Sequence, residues 1–196
     1  GSAARFVPYV IVAFAKAAES GFTKNRYSFA LETADALNSG WKKIYDGHSL
    51  LQSIPTLHTP PSQAAPDTAR ITFLSPTRFM INNSLAKEFT FRQLCFLMLR
   101  RVLEISSFHV PDVQPDYHFK PLLKAADNVS IEPLHQEWVD WKRYSSRQKR
   151  LLNMGGFTGE FQLSGDLEPF YPLLKTAEVL HVGKGTVFGM GKVRVG

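Results

Sequence analysis

The spacing of the apolar residues changes several times between residues 70 and 196, and each change indicates a new element. Residues 70–74 predict a strand, which we expect to end at Ser75-Pro76. From residue 90 to residue 105 apolar residues recur every three or four positions, which predicts a long amphipathic helix. Thr90 and Gln93 form a T-x-x-Q capping box at its start. Its apolar stripe consists of Phe91, Leu94, Cys95, Met98, Val102 and Ile105.

The rest of this half predicts two paired strands, a second helix and a closing strand. Residues 108–128 are rich in Pro and Asp and predict a long loop or an extra short helix. Residues 135–145 and 151–163 predict a hairpin, with Gly155-Gly156 as a bulge or kink in its second strand. Residues 166–180 predict a short helix and residues 193–195 the last strand. This order predicts an α+β fold, a ferredoxin-like (RRM-like βαββαβ) domain whose antiparallel sheet carries both helices on one face.

The first 52 residues have a shorter pattern of elements. Residues 5–19 predict a helix, residues 26–33 alternate as a half-buried strand, and Asp46-Gly47 predicts a hairpin turn. The apolar face of that helix consists of Val7, Ile11, Phe14, Ala15 and Ala18. Residues 53–69 contain four prolines and almost no charge, which indicates a linker. We therefore expect residues 1–52 to be the remnant of a second ferredoxin-like domain whose first half lies before Gly1, and residues 70–196 to be a complete one.

Composition narrows the class of protein. A hydrophobic fraction of 44% excludes a disordered chain, and a single cysteine, Cys95, excludes a disulfide scaffold or a cysteine zinc cluster. No apolar stretch approaches the length of a membrane span, so we expect a cytoplasmic protein with no membrane partner. No two His or Cys lie at ligand spacing, and the carboxylates are scattered, so we expect neither a metal nor a cofactor. The formal net charge of +6 favours a polyanionic partner.

Four glycines lie within nine residues between the second helix and the last strand. Glycine permits positive φ and a close approach of the backbone to a ligand, and consecutive exposed N–H groups bind anions such as phosphate. The spacing fits neither a nucleotide phosphate loop nor a dinucleotide fingerprint. A glycine-rich turn that only packs against the sheet is the alternative. The candidate RNA-binding residues of this stretch are Gly183, Lys184, Gly185, Gly189, Gly191, Lys192 and Arg194.

A second candidate lies in residues 141–150, WKRYSSRQKR, which hold five cationic residues and no acidic one. Lys and Arg contact phosphates, and aromatic rings such as Trp141 and Tyr144 stack on unpaired bases. A solvated basic hairpin is the alternative. The candidate RNA-binding residues are Arg143, Arg147, Lys149 and Arg150, beside Lys142.

Four segments together resemble a known family: ITFLSPTRFM, WKRYSSRQ, GGFTGEFQLSG and LHVGKGTVFGMGKVRV. They are similar to the CRISPR-associated RAMP endoribonucleases that process precursor CRISPR RNA, and PYVIVAFAKAAESGFTKNRYSFAL is similar to the end of that family's first ferredoxin-like domain. The resemblance implies two tandem ferredoxin-like domains that bind CRISPR repeat RNA, with other CRISPR effector subunits as further partners. It also implies metal-independent cleavage, in which a 2′-hydroxyl attacks its neighbouring phosphate and leaves a 2′,3′-cyclic end.

The catalytic residues do not follow from the resemblance. The family's catalytic histidine, where one exists, usually lies in the first domain, so we expect this chain to retain RNA binding and to lack the catalytic part. Of the six histidines, His181 is the candidate because it adjoins the glycine-rich stretch, although a lone histidine is more often a surface or packed residue. The alternatives are a non-catalytic RAMP subunit that coats guide RNA in an effector complex, and a protein-interaction module without an RNA role.

Overall fold

A computed structural model describes residues 5–22, 24–37, 41–51, 64–109 and 119–196. The chain divides into two compact units, residues 1–61 and residues 62–196. The identity of the first unit as the remnant of a ferredoxin-like domain stays a prediction. Most of the linker predicted at residues 53–69, namely residues 53–63, lies outside the described residues.

The first unit contains one helix and one strand pair. Helix α1 is Val7–Ser20, and strands β1, Ala34–Leu37, and β2, Trp41–Tyr45, pair antiparallel. The predicted turn at Asp46-Gly47 is confirmed, because Leu50 bridges back to Tyr45. The Asp46 carboxylate accepts the N–H groups of Ser49 at 2.8 Å and His48 at 2.9 Å, and these two bonds hold the pKa of Asp46 below its usual value. The main partner of β2 is nevertheless β1, which precedes it.

The strand predicted at residues 26–33 is wrong. These residues form no strand, and the Phe29 N–H donates to the Ala18 carbonyl of α1 at 2.9 Å. The Phe29 ring lies 6.2 Å from that of Phe22, which lies 6.5 Å from that of Phe14. The predicted inward position of Phe14 is wrong as well, because its side chain is 57% exposed, whereas Ile11 and Ala18 are buried as expected.

The second unit is built on a four-stranded antiparallel sheet. Spatial order in this sheet is β10, β3, β9, β6, with β3 Thr68–Thr77, β6 Ser130–Val139, β9 Gly156–Ser164 and β10 Val193–Val195. The long helices are α2, Phe91–His109, between β3 and β6, and α4, Tyr171–Leu180, between β9 and β10. Strand order 4-1-3-2 with a helix after the first and third strands is the ferredoxin-like arrangement. The predicted fold class is therefore confirmed.

One face of the sheet forms the core. On β3 the residues Ala69, Ile71 and Phe73 are buried, while Arg70 and Thr72 lie on the other face. Strand β9 alternates in the same way, with its buried side chains in the same cluster as those of α2 and α4. Both helices therefore cover one face, as the single apolar stripe of α2 predicts. The capping box is also confirmed, because Thr90 N–H donates to Gln93 Oε1 at 2.9 Å and Gln93 N–H to Thr90 Oγ1 at 3.3 Å.

Strand β3 is longer than expected at both ends. Strand β3 begins at Thr68, inside the predicted linker, and continues through Pro76 to Thr77. The register with β9 shifts between Phe73 and Thr77, so the missing N–H of Pro76 leaves no ladder bond unmade. A short strand pair follows, β4 Phe79–Ile81 with β5 Ser84–Ala86. In the predicted loop of residues 108–128, the short helix α3, Lys120–Ala125, confirms the alternative of an extra helix.

The predicted hairpin exists in two parts. Its base is the pairing of β6 with β9, and β6 begins at Ser130, five residues earlier than expected. Its tip is a separate strand pair, β7 Lys142–Ser145 with β8 Arg150–Asn153. The parts are joined at Trp141, whose carbonyl accepts the Met154 N–H at 2.9 Å. Met154 and Gly155 separate β8 from β9, so the basic tip lies beyond the ends of β6 and β9 and outside the main sheet.

Candidate nucleic-acid interface

The glycine-rich stretch is a loop, residues 181–192, that connects the end of α4 to β10. All four candidate glycines have positive φ: 86° at Gly183, 81° at Gly185, 80° at Gly189 and 71° at Gly191. Gly185 and Gly189, on either side of the turn Thr186–Phe188, are both left-handed. Side chains with a Cβ avoid that conformation, so the glycine content follows from the shape of the loop.

Packing explains two of the four glycines. A Cβ on Gly183 would lie 2.5 Å from the Arg78 carbonyl oxygen, and a Cβ on Gly191 would collide with the Val182 carbonyl. At Gly185 the nearest atom would be the Met190 sulfur at 2.6 Å, the end of a flexible side chain, and Gly189 faces open space. The loop therefore combines the two readings of the sequence: its ends are tightly packed turns, and its middle is open.

Backbone hydrogen bonds show which N–H groups are available to a ligand. Lys184 N–H donates to Arg78 O at 2.9 Å, and Gly191 N–H to Pro76 O at 3.2 Å. Phe188 and Gly189 donate within the loop. The N–H groups of Gly185, Thr186 and Val187 have no partner among the residues that the structure describes. These three consecutive N–H groups in the middle of the loop are the ones that can form a concavity for an anion.

Two side chains brace the loop. Ser75 Oγ donates to Gly189 O at 2.8 Å and accepts the Lys192 N–H at 2.9 Å. His181 Nδ1 lies 3.1 Å from Met190 O, so this nitrogen carries the proton in a hydrogen bond that joins the two ends of the loop. His181 itself has φ of 59° where α4 ends. These contacts give His181 a structural task, and its catalytic role stays a prediction.

The basic hairpin tip contacts the glycine loop through one pair of side chains. The Arg143 guanidinium carbon lies 4.5 Å from the centroid of the Phe188 ring, a cation–π distance. Arg143 belongs to β7, and Phe188 to the short 3-10 turn Thr186–Phe188 in the middle of the loop. The two sequence candidates, separated by more than thirty residues, therefore meet on one surface of the second unit.

Arg78 is hydrogen-bonded both to the base of the hairpin tip and to the glycine loop. The sequence analysis did not identify it. Its Nη1 donates to Gly155 O at 2.7 Å and to Asn153 O at 3.1 Å, at the base of the hairpin tip. Its own carbonyl accepts the Lys184 N–H. A lone arginine between the apolar residues Phe73 and Ile81 was the available signal, because such a charge needs partners when it is held against a core.

The remaining candidate RNA-binding cations lie on three parts of the fold: the hairpin turn, the glycine loop and strand β10. Arg147 and Lys149 occupy the turn between β7 and β8, and Arg150 Nε donates to Gln148 Oε1 at 3.0 Å. All three are exposed, and none makes a hydrogen bond, ion pair or cation–π contact with the described residues of the glycine loop. Lys184 and Lys192 are exposed on the loop itself. Arg194 lies opposite Thr72 on the polar face of the sheet, which separates it from the packed face.

The aromatic side chains of this surface differ in how far their rings are exposed to solvent. Tyr144 is 59% exposed and Phe188 49% exposed, so both rings can stack on a base. The Trp141 indole nitrogen is buried and has no hydrogen-bond partner in the described ranges of the chain, which makes that ring a poor stacking platform. In the described part of the chain, no three His, Cys, Asp or Glu side chains gather as a metal site, and no helix is long and apolar enough to cross a membrane.

Comparisons with known proteins give one family. The sequence model of the CRISPR-associated endoribonuclease Cas6 family matches residues 71–193. No curated protein matches the chain. Among solved structures, a Cas6 product complex is 16% identical and covers 67% of this chain and 52% of its own, with a TM-score of 0.47. A Thermus thermophilus Cas6 product complex is 20% identical and covers 65% of this chain and 50% of its own, with a TM-score of 0.49. The chain spans about half the length of these two structures. A partial Cas6-RT-Cas1–Cas2 complex is 16% identical and covers 67% of this chain and 22% of its own, with a TM-score of 0.47.

Proposed function

Because this chain belongs to the CRISPR-associated endoribonuclease Cas6 family, we propose that its second unit binds CRISPR repeat RNA. The binding surface is the hairpin tip, residues 142–153, together with the glycine loop, residues 181–192. We call it the tip–loop surface. Its task is to hold the RNA backbone during processing of the precursor transcript.

The contact of Arg143 with Phe188 is the observation that carries this proposal. It joins a strand pair with five cations to a loop with two lysines and unpaired N–H groups. Seven cationic side chains along one surface create a field that attracts a polyanion, and neither the hairpin nor the loop alone has that charge. Exposed Tyr144 and Phe188 add stacking faces, which suit unpaired RNA bases.

Cleavage by the family's route forms a bond from a 2′-oxygen to the adjacent phosphorus and breaks the bond to the 5′-oxygen. The products are a 2′,3′-cyclic phosphate and a 5′-hydroxyl, after one proton has left the nucleophile and one has reached the leaving oxygen. The tip–loop surface supplies cations and N–H donors that stabilise the negative charge of the intermediate. It also holds one candidate for proton transfer: His181 Nδ1 donates to the Met190 carbonyl, which leaves Nε2 as the ring nitrogen that can accept a proton. We therefore assign the surface to RNA binding and keep His181 as the candidate general base within it, with the other catalytic groups outside it.

The decisive experiment compares charge-removing variants over a range of salt concentrations. Arg147→Ala/Arg150→Ala removes two exposed cations from the tip, and Lys120→Ala/Lys124→Ala removes two exposed cations from α3. If Arg147 and Arg150 neutralise phosphates, the slope of log affinity against log salt should flatten by roughly 1.4, which is about 0.7 for each lost contact. The α3 variant should bind a labelled repeat RNA like the parent. Equal slopes for all three proteins would refute the assignment.

Cleavage itself is tested in the same samples. The whole chain, incubated with labelled repeat RNA and a chelator, should bind the RNA without cutting it. A metal-independent cut would place catalytic groups inside this chain, and replacement of His181 would then show whether it is one of them. Association with other CRISPR effector subunits and a cytoplasmic location stay predictions.

A further inference from the structure

A small cationic cavity lies between helix α2 and the start of the glycine loop. Four cationic residues line it, Arg78, Arg100, Arg101 and Lys184, with one carboxylate, Glu104. Arg100 and Arg101 lie outside the apolar stripe of α2, and neither belongs to the tip–loop surface. Such a concentration of like charge is unfavourable unless an anion compensates it.

The two arginines that line the cavity from α2 are held in a similar way. Arg100 Nε donates to Glu104 Oε1 at 2.9 Å, and Arg101 Nε donates to the Leu180 carbonyl at 3.3 Å, at the end of α4. Each side chain is thus anchored through its inner nitrogen. The terminal nitrogens of both guanidinium groups have no partner within the described residues. Two anchored guanidinium groups with free terminal donors suit the oxygens of a phosphate.

The size of the cavity selects the ligand. Its volume is about 50 Å³, several times the roughly 10 to 15 Å³ that one water needs. It is far below the ~300 Å³ of a typical small-molecule site. A phosphate group fits this space, whereas a nucleobase does not.

We propose that this cavity binds one backbone phosphate of the RNA, next to the tip–loop surface. The inference rests on the proposed function, since it takes RNA as the source of the phosphate. Lys184 is part of both the cavity and the glycine loop. Its side chain lines the cavity, and its backbone N–H, within the loop, donates to the Arg78 carbonyl. An RNA strand that follows the loop is therefore brought to the cavity, and its path continues onto α2.

The first experiment uses Arg100→Ala/Arg101→Ala in the whole chain, with Lys120→Ala/Lys124→Ala as the charge-matched control and Arg100→Lys/Arg101→Lys as the conservative variant. The alanine variant should lose affinity for the repeat RNA and flatten the salt slope by up to roughly 1.4. The lysine variant should keep much of the slope, because the charge remains, but lose affinity, because bidentate bonds are lost. An alanine variant with the affinity and slope of the control would overturn the inference.

The second experiment separates the cavity from the RNA proposal. Inorganic pyrophosphate, titrated into the parent, should raise the melting temperature, and the alanine variant should lose that rise while the control keeps it. If the parent binds no RNA yet shows this pattern, the RNA proposal fails and the cavity takes a free phosphate. If the parent binds RNA and neither RNA nor pyrophosphate distinguishes the alanine variant from the control, the cavity proposal fails and the tip–loop surface stands.

Discussion

The Arg143 guanidinium lies 4.5 Å above the ring of Phe188, and this pair joins the basic hairpin tip to the glycine loop. Neither side chain is buried, so the interaction positions two surface segments and adds little to the stability of the core. A cation–π pair at an exposed site contributes about 0.5–1 kcal/mol. Its value for function lies in the fixed position of the tip above the loop.

We expect Arg143 and Phe188 to act on RNA binding as one unit. Arg143→Ala and Phe188→Leu should each weaken binding of the repeat RNA, and the double variant should lose less than the sum of the single losses. A double-mutant cycle on the RNA affinities measures the difference, with Arg147→Ala/Phe188→Leu as the control pair. Additive losses for Arg143 and Phe188 would show that the tip and loop bind RNA independently.

Alanine substitutions along the glycine loop should differ in a definite order. Gly189→Ala meets open space and carries only the strain of its φ of 80°, about 1 kcal/mol. Gly185→Ala must also displace the Met190 sulfur, and Gly183→Ala and Gly191→Ala collide with backbone carbonyls that cannot move freely. Urea unfolding should therefore show the smallest loss of stability for Gly189→Ala and the largest for Gly183→Ala and Gly191→Ala. Equal losses at all four positions would contradict the packing described for this loop.

The sheet and its helices could be predicted because their residues repeat one pattern consistently. Ile71 and Phe73 alternate with polar residues, and Thr90 with Gln93 marks the start of α2 by a local bond that needs no tertiary information. The strand predicted at residues 26–33 shows the limit of such patterns. A period of two requires a neighbouring strand to become a ladder, and sequence does not show whether one is present.

The supports of the candidate site could not be predicted from side-chain patterns. Arg78 bonds to the carbonyls of Asn153 and Gly155, and every residue has a carbonyl, so nothing in the sequence marks these partners. The cavity beside α2 was missed for a related reason. Arg100 and Arg101 are ordinary residues for an exposed helix face, and they gain significance only because the loop brings Lys184 beside them.

Glu178 should prove important for the stability of the edge strand. Its Oε1 accepts the Val195 N–H at 2.7 Å, and its Oε2 lies 2.7 Å from Lys175 Nζ, which donates to the Val195 carbonyl at 3.1 Å. Glu178→Ala leaves the N–H of buried Val195 unpaired and should destabilise the protein by about 1–3 kcal/mol. Glu178→Gln keeps an acceptor oxygen and should cost less. Glu160→Ala, which removes the exposed ion pair with Arg70, is the control, and its loss should stay below about 0.5 kcal/mol.

Cys95 should make stability depend on pH in the alkaline range. Its thiol is buried on α2, and burial raises its pKa from 9.0 to about 11, against a smaller opposite effect of Arg92. Because the folded-state pKa is the higher one, the stabilising contribution of the protonated thiol is complete below pH 9 and is lost as the pH rises toward 11. We therefore expect the free energy of unfolding of the parent to decline between pH 9 and 11 by an amount on the order of 2 kcal/mol. The same measurement on Cys95→Ala cancels the other titrating groups.

A thiol reagent at pH 8 should label Cys95 in urea and not in the folded protein. Rapid labelling of the folded protein, or a pH-independent difference between the two proteins, would mean that the thiol is accessible to solvent.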